Sequence, residues 1–186
     1  MSDYSAMLLL LGRVFQSLKQ HHGIDAVLVG GAAVEFYTGG RYQTGDFDVV
    51  FQDFALFGSA MAAHGFAKPS GTGRLLRGWV HPDFPDYGIE LVSGASFDGL
   101  SDRSRCRLIR IGEDSAVALP PIEDLIADRL GQYCAIADNP DRSCLEQAKL
   151  LFLLAETIDK PYLEKRVQDE VGDVSLLLGS GLEGGQ

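Results

Sequence analysis

Residues 26–51 read AVLVGGAAVEFYTGGRYQTGDFDVVF, and their glycines divide the stretch into three pieces. The apolar run Ala26–Val29 ends at Gly30–Gly31, Ala32–Tyr37 follows with helical character, and Gly39–Gly40 stops it. After the turn GGRYQTGD, Phe47–Phe51 is apolar and β-prone apart from Asp48, so a second strand carries Asp46 and Asp48 at its entrance. Strand, glycine turn, helix and acid-bearing strand in that order set the chain in the mixed α and β class.

Side chains two apart on a strand leave from the same face, so the carboxylates of Asp46 and Asp48 converge. Two convergent acids either share a proton or hold a divalent cation; Mg²⁺ takes few protein carboxylates and completes its shell with phosphate and water. Taken alone, such a pair serves equally as a solvated or turn-capping pair, and a glycine pair after a strand serves equally as a plain turn. Upstream, however, VLVGG is a strand running into a helix, a geometry that aims backbone N–H groups at an anion. A third acid, Glu90, interrupts the apolar stretch GIELVS at 88–93. It is either an outward residue of an alternating strand or a charge that needs a partner. Three acids on neighbouring strands beside a phosphate-cradling turn make a site for metal-assisted phosphoryl transfer.

Working outward, Leu8, Leu11, Phe15 and Leu18 within Ala6–Gln20 mark a helix that buries one stripe. Ala55–His64 reads as a returning helix. Arg74–Val80, Gly88–Ser93 and Cys106–Ile111 read as strands, the first two joined by a loop over His81–Tyr87. From Pro120–Pro121 onward the spacing is helical, through Ile122, Leu125, Ile126 and Leu130, then Leu145, Ala148, Leu151 and Phe152, then Tyr162, Leu163 and Val167. The expected division is an α/β core over 1–119, a helical unit over 120–172 and a flexible tail over 173–186, ending GSGLEGGQ.

The ordered series LVGGAAVEFY, GGRYQTGDFDVVF and GIELVSG resembles the nucleotidyltransferase fold of the polymerase-beta-like superfamily. Beyond it, LPPIEDLIADRLGQY and DRSCLEQAKLL are similar to the helical region of the AbiEii-like and related bacterial nucleotidyltransferases. The resemblance covers most of residues 6–156. It implies a mixed sheet flanked by helices with a C-terminal helical unit, and Mg²⁺- or Mn²⁺-dependent transfer from a nucleoside triphosphate to a hydroxyl of RNA, protein or a small molecule. It assigns Gly30 and Gly31 to the triphosphate, Asp46 and Asp48 to metal, and Glu90 to metal and to activation of the acceptor hydroxyl. Thr44 supports the metal-site turn. Arg41, Arg129 and Lys149 join the nucleotide contacts, with Arg142 on the later basic helix; Arg129 stands where relatives often have Lys, which changes hydrogen-bond geometry while keeping charge. The chain departs from the pattern in having Gly-Gly where many members have Gly-Ser, and in placing Arg41 five residues before Asp46 instead of four.

Composition narrows the partners. The 186 residues carry 26 Asp and Glu against 16 Lys and Arg, a net charge of −10, which argues against a broad nucleic-acid-coating surface. Three cysteines without CxxC spacing suggest neither a disulfide framework nor a zinc knuckle and fit a reducing cytoplasm. The apolar run Met7–Leu11 is far short of the roughly 20 residues a membrane span needs, so neither a span nor an export signal is expected. Arg103, Arg105 and Arg107 alternate as if on one strand face and read either as an anion site or as a charged strand edge. His21–His22 and His64 read as helix-end cations, while His81 is the histidine expected nearest the acids. A second reading of the whole is a catalytically degenerate nucleotidyltransferase fold that binds a cognate protein, as a toxin–antitoxin component would.

Overall fold

The computed structural model describes residues 2–69, 78–93 and 99–178. Its helices are α1 (Asp3–His22), α2 (Gly30–Tyr37), α3 (Phe54–Ala63), α4 (Ile122–Cys134), α5 (Ser143–Leu154) and α6 (Lys160–Asp169). Its strands are β1 (Val27–Val29), β2 (Asp46–Val50), β3 (Trp79–His81), β4 (Phe84–Ser93), β5 (Arg107–Arg110) and β6 (Ala116–Leu119), with 3-10 turns at Arg103–Arg105 and Val174–Leu178. The chain divides into two compact units, Met1–Ala33 with Gln43–Pro120, and Val34–Tyr42 with Pro121–Gln186. Among the described residues no helix is long and apolar enough to cross a membrane.

The first unit is built on a six-stranded mixed sheet in the order β3-β4-β2-β1-β6-β5. The β2–β4 and β1–β6 pairs are parallel and the others antiparallel. Alternation along β2 sends Phe47 and Val49 to one face, where both are fully buried. Tyr4 of α1 stacks on Phe47 with ring centroids 5.4 Å apart, and on the same side Phe57 of α3 meets Phe51 and Trp79. α1 holds its stripe Met7, Leu8, Leu11, Phe15 and Leu18 against this core. The Ser2 side chain caps the helix at its start and a left-handed Gly23 ends it, with Lys19, His21 and His22 at the negative pole.

The second unit packs α5 and α6 against α4. Its centre is polar: Arg166 and Asp124 are fully buried and joined at 2.7 Å, Arg166 also holds Glu170 at 2.7 Å, and the Tyr162 hydroxyl donates to Asp124 at 2.9 Å. Burial pushes the Arg166 guanidinium down, but hydrogen bonds to Glu170 and Asp124 outweigh it and hold its pKa above the ordinary value.

Several expectations change. α2 begins at Gly30 itself, so both glycines lie inside its first turn instead of ahead of it. The expected loop over 81–87 is a tight hairpin, with His81 paired to Phe84. Pro85 is tolerated there because β4 pairs with β2 only from Gly88 onward. The strand β6 was not expected: AVAL is a short uniform apolar run whose periodicity cannot distinguish strand from helix, and it lies between β1 and β5. Arg103 and Arg105 sit in a 3-10 turn, so they do not alternate with Arg107 along one strand. Of the expected strand Arg74–Val80, residues 74–77 lie outside the described residues, as do 179–186 of the expected tail.

Candidate active site

Two paired strands, β2 and β4, carry the acids. Asp48 pairs in register with Val29 of β1 on one side and with Glu90 of β4 on the other, while Asp46 lies opposite Gly88. Register partners on neighbouring strands project to the same face about 4.8 Å apart, and residues two apart on one strand share a face about 6.7 Å apart. Asp46, Asp48 and Glu90 therefore share one face of the sheet, opposite the face that Phe47 and Val49 bury. Asp46 is exposed at the strand entrance; Asp48 and Glu90 are half-buried. Gly88 puts no side chain beside Asp46.

The glycine turn meets the acids directly. A Cβ on Gly30 would run into the Asp48 carboxylate, and Gly30 also has a φ of +63°, which L side chains adopt only with strain. A Cβ on Gly31 would stand 2.7 Å from the Thr44 hydroxyl oxygen. Thr44 in turn donates from its hydroxyl to the Asp46 carbonyl at 3.2 Å and accepts from the Asp46 N–H at 3.4 Å. Each glycine thus lets one residue of the acid-bearing turn close on the start of α2. The N–H groups in the first turn of a helix have no intrahelical acceptor and face whatever anion approaches. A helix N-terminus and a carboxylate pair occupy one corner of the first unit.

Tyr4 is a residue that sequence reasoning missed. Its hydroxyl donates to the carbonyl of Ala32 in the first turn of α2 at 2.8 Å, while its ring stacks on Phe47, between the two aspartates. It anchors both halves of the corner from beneath. Its position three residues before Met7 on the apolar stripe of α1 was the available signal, although that pattern announces packing and not the site.

Carboxylates are hard acceptor-only donors of the kind Mg²⁺ and Mn²⁺ take. The three acids fit such a cation in chemistry and in shared face. Among the described residues, no group of three His, Cys, Asp or Glu side chains stands gathered around a metal position. The backbone sets Asp48 and Glu90 in register, with Asp46 two residues before Asp48 on the same face.

Of the other sequence-derived residues, Arg41, Arg129, Lys149 and Arg142 belong to the second unit and His81 to the first. Arg41 is exposed, following the turn in which the Gly40 N–H donates to the Glu35 carbonyl. Arg129 is largely buried and is held by its neighbour Asp128, with Nη2 to carboxylate at 2.6 Å, and reaches Gln147 at 3.5 Å. Lys149 is half-buried on α5. Arg142 stands at the start of α5 in an exposed pair with Glu146 at 3.6 Å. His81 lies against Phe66 and Phe84 and accepts from the Asp83 N–H, so it works within its hairpin.

No family model matches the chain, and no curated protein matches it. Solved structures do. An antigenic nucleotidyltransferase-like protein from Paracoccidioides brasiliensis aligns over 91% of this chain and 87% of its own, with a TM-score of 0.61 and 16% identity. The solution structure of the antibiotic-resistance factor ANT(2'')-Ia aligns over 89% of this chain and 91% of its own, with a TM-score of 0.54 and 14% identity. At these identities the likeness is one of fold, and the fold is the nucleotidyltransferase type.

Proposed function

We propose that this chain, built on the nucleotidyltransferase fold, transfers a nucleotidyl group from a nucleoside triphosphate to a hydroxyl acceptor with Mg²⁺ or Mn²⁺. The observation that carries the reading is the row Val29–Asp48–Glu90 across three strands, with Asp48 closed over Gly30. Residues 1–119 form the transferase core in this reading and 120–172 its helical unit, whose sequence supports membership of the AbiEii-like group.

Asp46, Asp48 and Glu90 would hold the cation. When bound, it supplies the positive charge that offsets charge building on the transferring phosphoryl group. The backbone N–H groups of Gly30 and Gly31 bind phosphate oxygens, and Thr44 keeps the turn closed on them. The Glu90 carboxylate takes the proton of the acceptor hydroxyl as its oxygen bonds to the α-phosphorus. The bond from that phosphorus to the α,β-bridging oxygen breaks, and pyrophosphate leaves. For Arg41, Arg129 and Lys149 the support as nucleotide contacts is sequence resemblance alone, and Arg129 already has Asp128 as a counter-ion.

The test is label transfer from α-labelled triphosphates, each offered with RNA, protein or small hydroxyl compounds as acceptor. Asp48→Ala should abolish transfer while leaving the unfolding midpoint nearly unchanged; equal turnover in that variant would exclude the metal role. A second reading, the degenerate binding module, draws on Gly30–Gly31 standing where many members have Gly-Ser and on the net charge of −10. It gains if no triphosphate binds and the chain forms a stoichiometric complex with a cognate protein.

A further inference from the structure

Among the described residues the sheet ends at β5, which is hydrogen-bonded to β6 along one side. In an antiparallel pair alternate residues direct their N–H and C=O away from the partner strand, so two of the four residues 107–110 offer backbone groups outward. Proteins usually blunt such an edge with charge and keep apolar side chains off it. Here Leu108 is 62% exposed. Around it, residues 103–110 read RSRCRLIR, four arginines and no acid in a chain of net charge −10.

Two of those arginines are engaged locally. Arg103 donates to the Asp25 carbonyl at 2.7 Å, and Arg105 pairs with Asp102 at 3.8 Å. Arg107 and Arg110 are exposed, and among the described residues no carboxylate pairs with either; Arg110 gives one N–H to the Glu113 carbonyl at 3.2 Å. Beside the strand, two hollows of about 200 and about 150 Å³ share Lys19, Asp25, Leu108 and Ala118, and so form one trough. Arg110 borders the larger hollow and Arg103 the smaller.

We propose that this edge is a docking site for an extended segment of a partner protein in which acidic residues alternate with apolar ones. The segment adds to β5 as a further strand through the outward backbone groups. Its apolar side chains cover Leu108 and the trough on one face of the sheet, and its carboxylates meet Arg107 on the other. Single-stranded RNA fits less well, because it calls for stacking platforms along a basic groove, whereas Leu108 and Ala118 are aliphatic.

The probe is a fluorescein-labelled eight-residue peptide alternating glutamate and valine, compared with its lysine–valine counterpart and with an oligouridylate of similar length. Binding is read by anisotropy, and amide hydrogen exchange is followed at residues 107–110. The expected result is binding of the glutamate peptide alone, slowed exchange within 107–110, and about tenfold weaker binding in Arg107→Glu and in Leu108→Asp. Both positions are exposed, and an unchanged unfolding midpoint checks that each variant is folded. The proposal is overturned by any of four results: no binding of the glutamate peptide at about 1 mM, equal binding of the lysine peptide, binding of the oligouridylate instead, or binding without slowed exchange in β5.

Discussion

Asp48 closes its carboxylate over the Cα of Gly30, the first residue of α2, and this one contact ties the acid-bearing strand to the helix N-terminus. Any side chain at position 30 must displace Asp48 and also adopt a left-handed φ. Gly30→Ala should therefore cost more than the roughly 1–2 kcal/mol of the backbone conformation alone. Denaturant unfolding measures it, and a loss of no more than about 1–2 kcal/mol would show that Asp48 moves aside freely.

The neighbouring contact is separable. Gly31→Ala places a methyl against the Thr44 hydroxyl, and Thr44→Ala removes that hydroxyl. The two substitutions together should destabilise less than the sum of the singles, with a coupling of about 0.5–1 kcal/mol in a double-mutant cycle. Additive effects would mean that the two residues do not press on each other.

Tyr4→Phe keeps the ring on Phe47 and deletes the hydrogen bond to Ala32. The expected loss of stability is about 1 kcal/mol. Because Ala32 lies in the first turn of α2, triphosphate affinity should fall as well; titration of the variant with a triphosphate checks this, and an unchanged affinity would confine Tyr4 to packing.

In the helical unit, Asp124→Ala leaves the buried Arg166 without one of its counter-ions. Breaking a buried pair from one side costs about 3–5 kcal/mol. The exposed pair is the control: Arg142→Ala, which breaks the contact with Glu146, should cost less than about 1 kcal/mol. Chemical denaturation of both variants decides whether the polar centre holds α6 on α4.

Acid should weaken the same unit. The hydrogen bond from Lys165 holds the Asp169 carboxyl below its ordinary range, with Arg166 adding to it, and the Ser175 hydroxyl and N–H do the same for Asp173. A carboxyl with a lowered folded-state pKa contributes stability that is present above its unfolded value near 3.9 and is lost as pH falls through the lower folded value. Melting scans should thus be flat in this contribution near neutrality and fall below about pH 4, with a shallower fall in Asp169→Asn. An equal slope in that variant would remove Asp169 from the acid response.

Much of the site's frame was legible because it rests on punctuation. Gly30–Gly31 and the pair Asp46 and Asp48 are local signals, and β2 needed only its alternation. That the acids lie on neighbouring strands was legible, but the register that sets Asp48 against Glu90 was not, since register between residues 42 apart is set by the whole sheet. The strand β6 was missed because four apolar residues carry no period, and the 3-10 turn at 103–105 because arginines spaced by two imitate a strand. Tyr4 was hidden for a different reason: its hydrogen bond to Ala32 joins two elements that sequence reads separately.

Thermal unfolding tests a metal-dependent triphosphate site at Asp48 and its neighbours without any acceptor. Wild type and Asp48→Ala are melted with each of the four nucleoside triphosphates, with and without Mg²⁺. A ligand at about 100 times its dissociation constant adds roughly 2.7 kcal/mol, a rise of several degrees for a chain this size. The expected result is a Mg²⁺-dependent rise with at least one triphosphate in the wild type and none in Asp48→Ala. No rise with any triphosphate, or the same rise in Asp48→Ala, would contradict it.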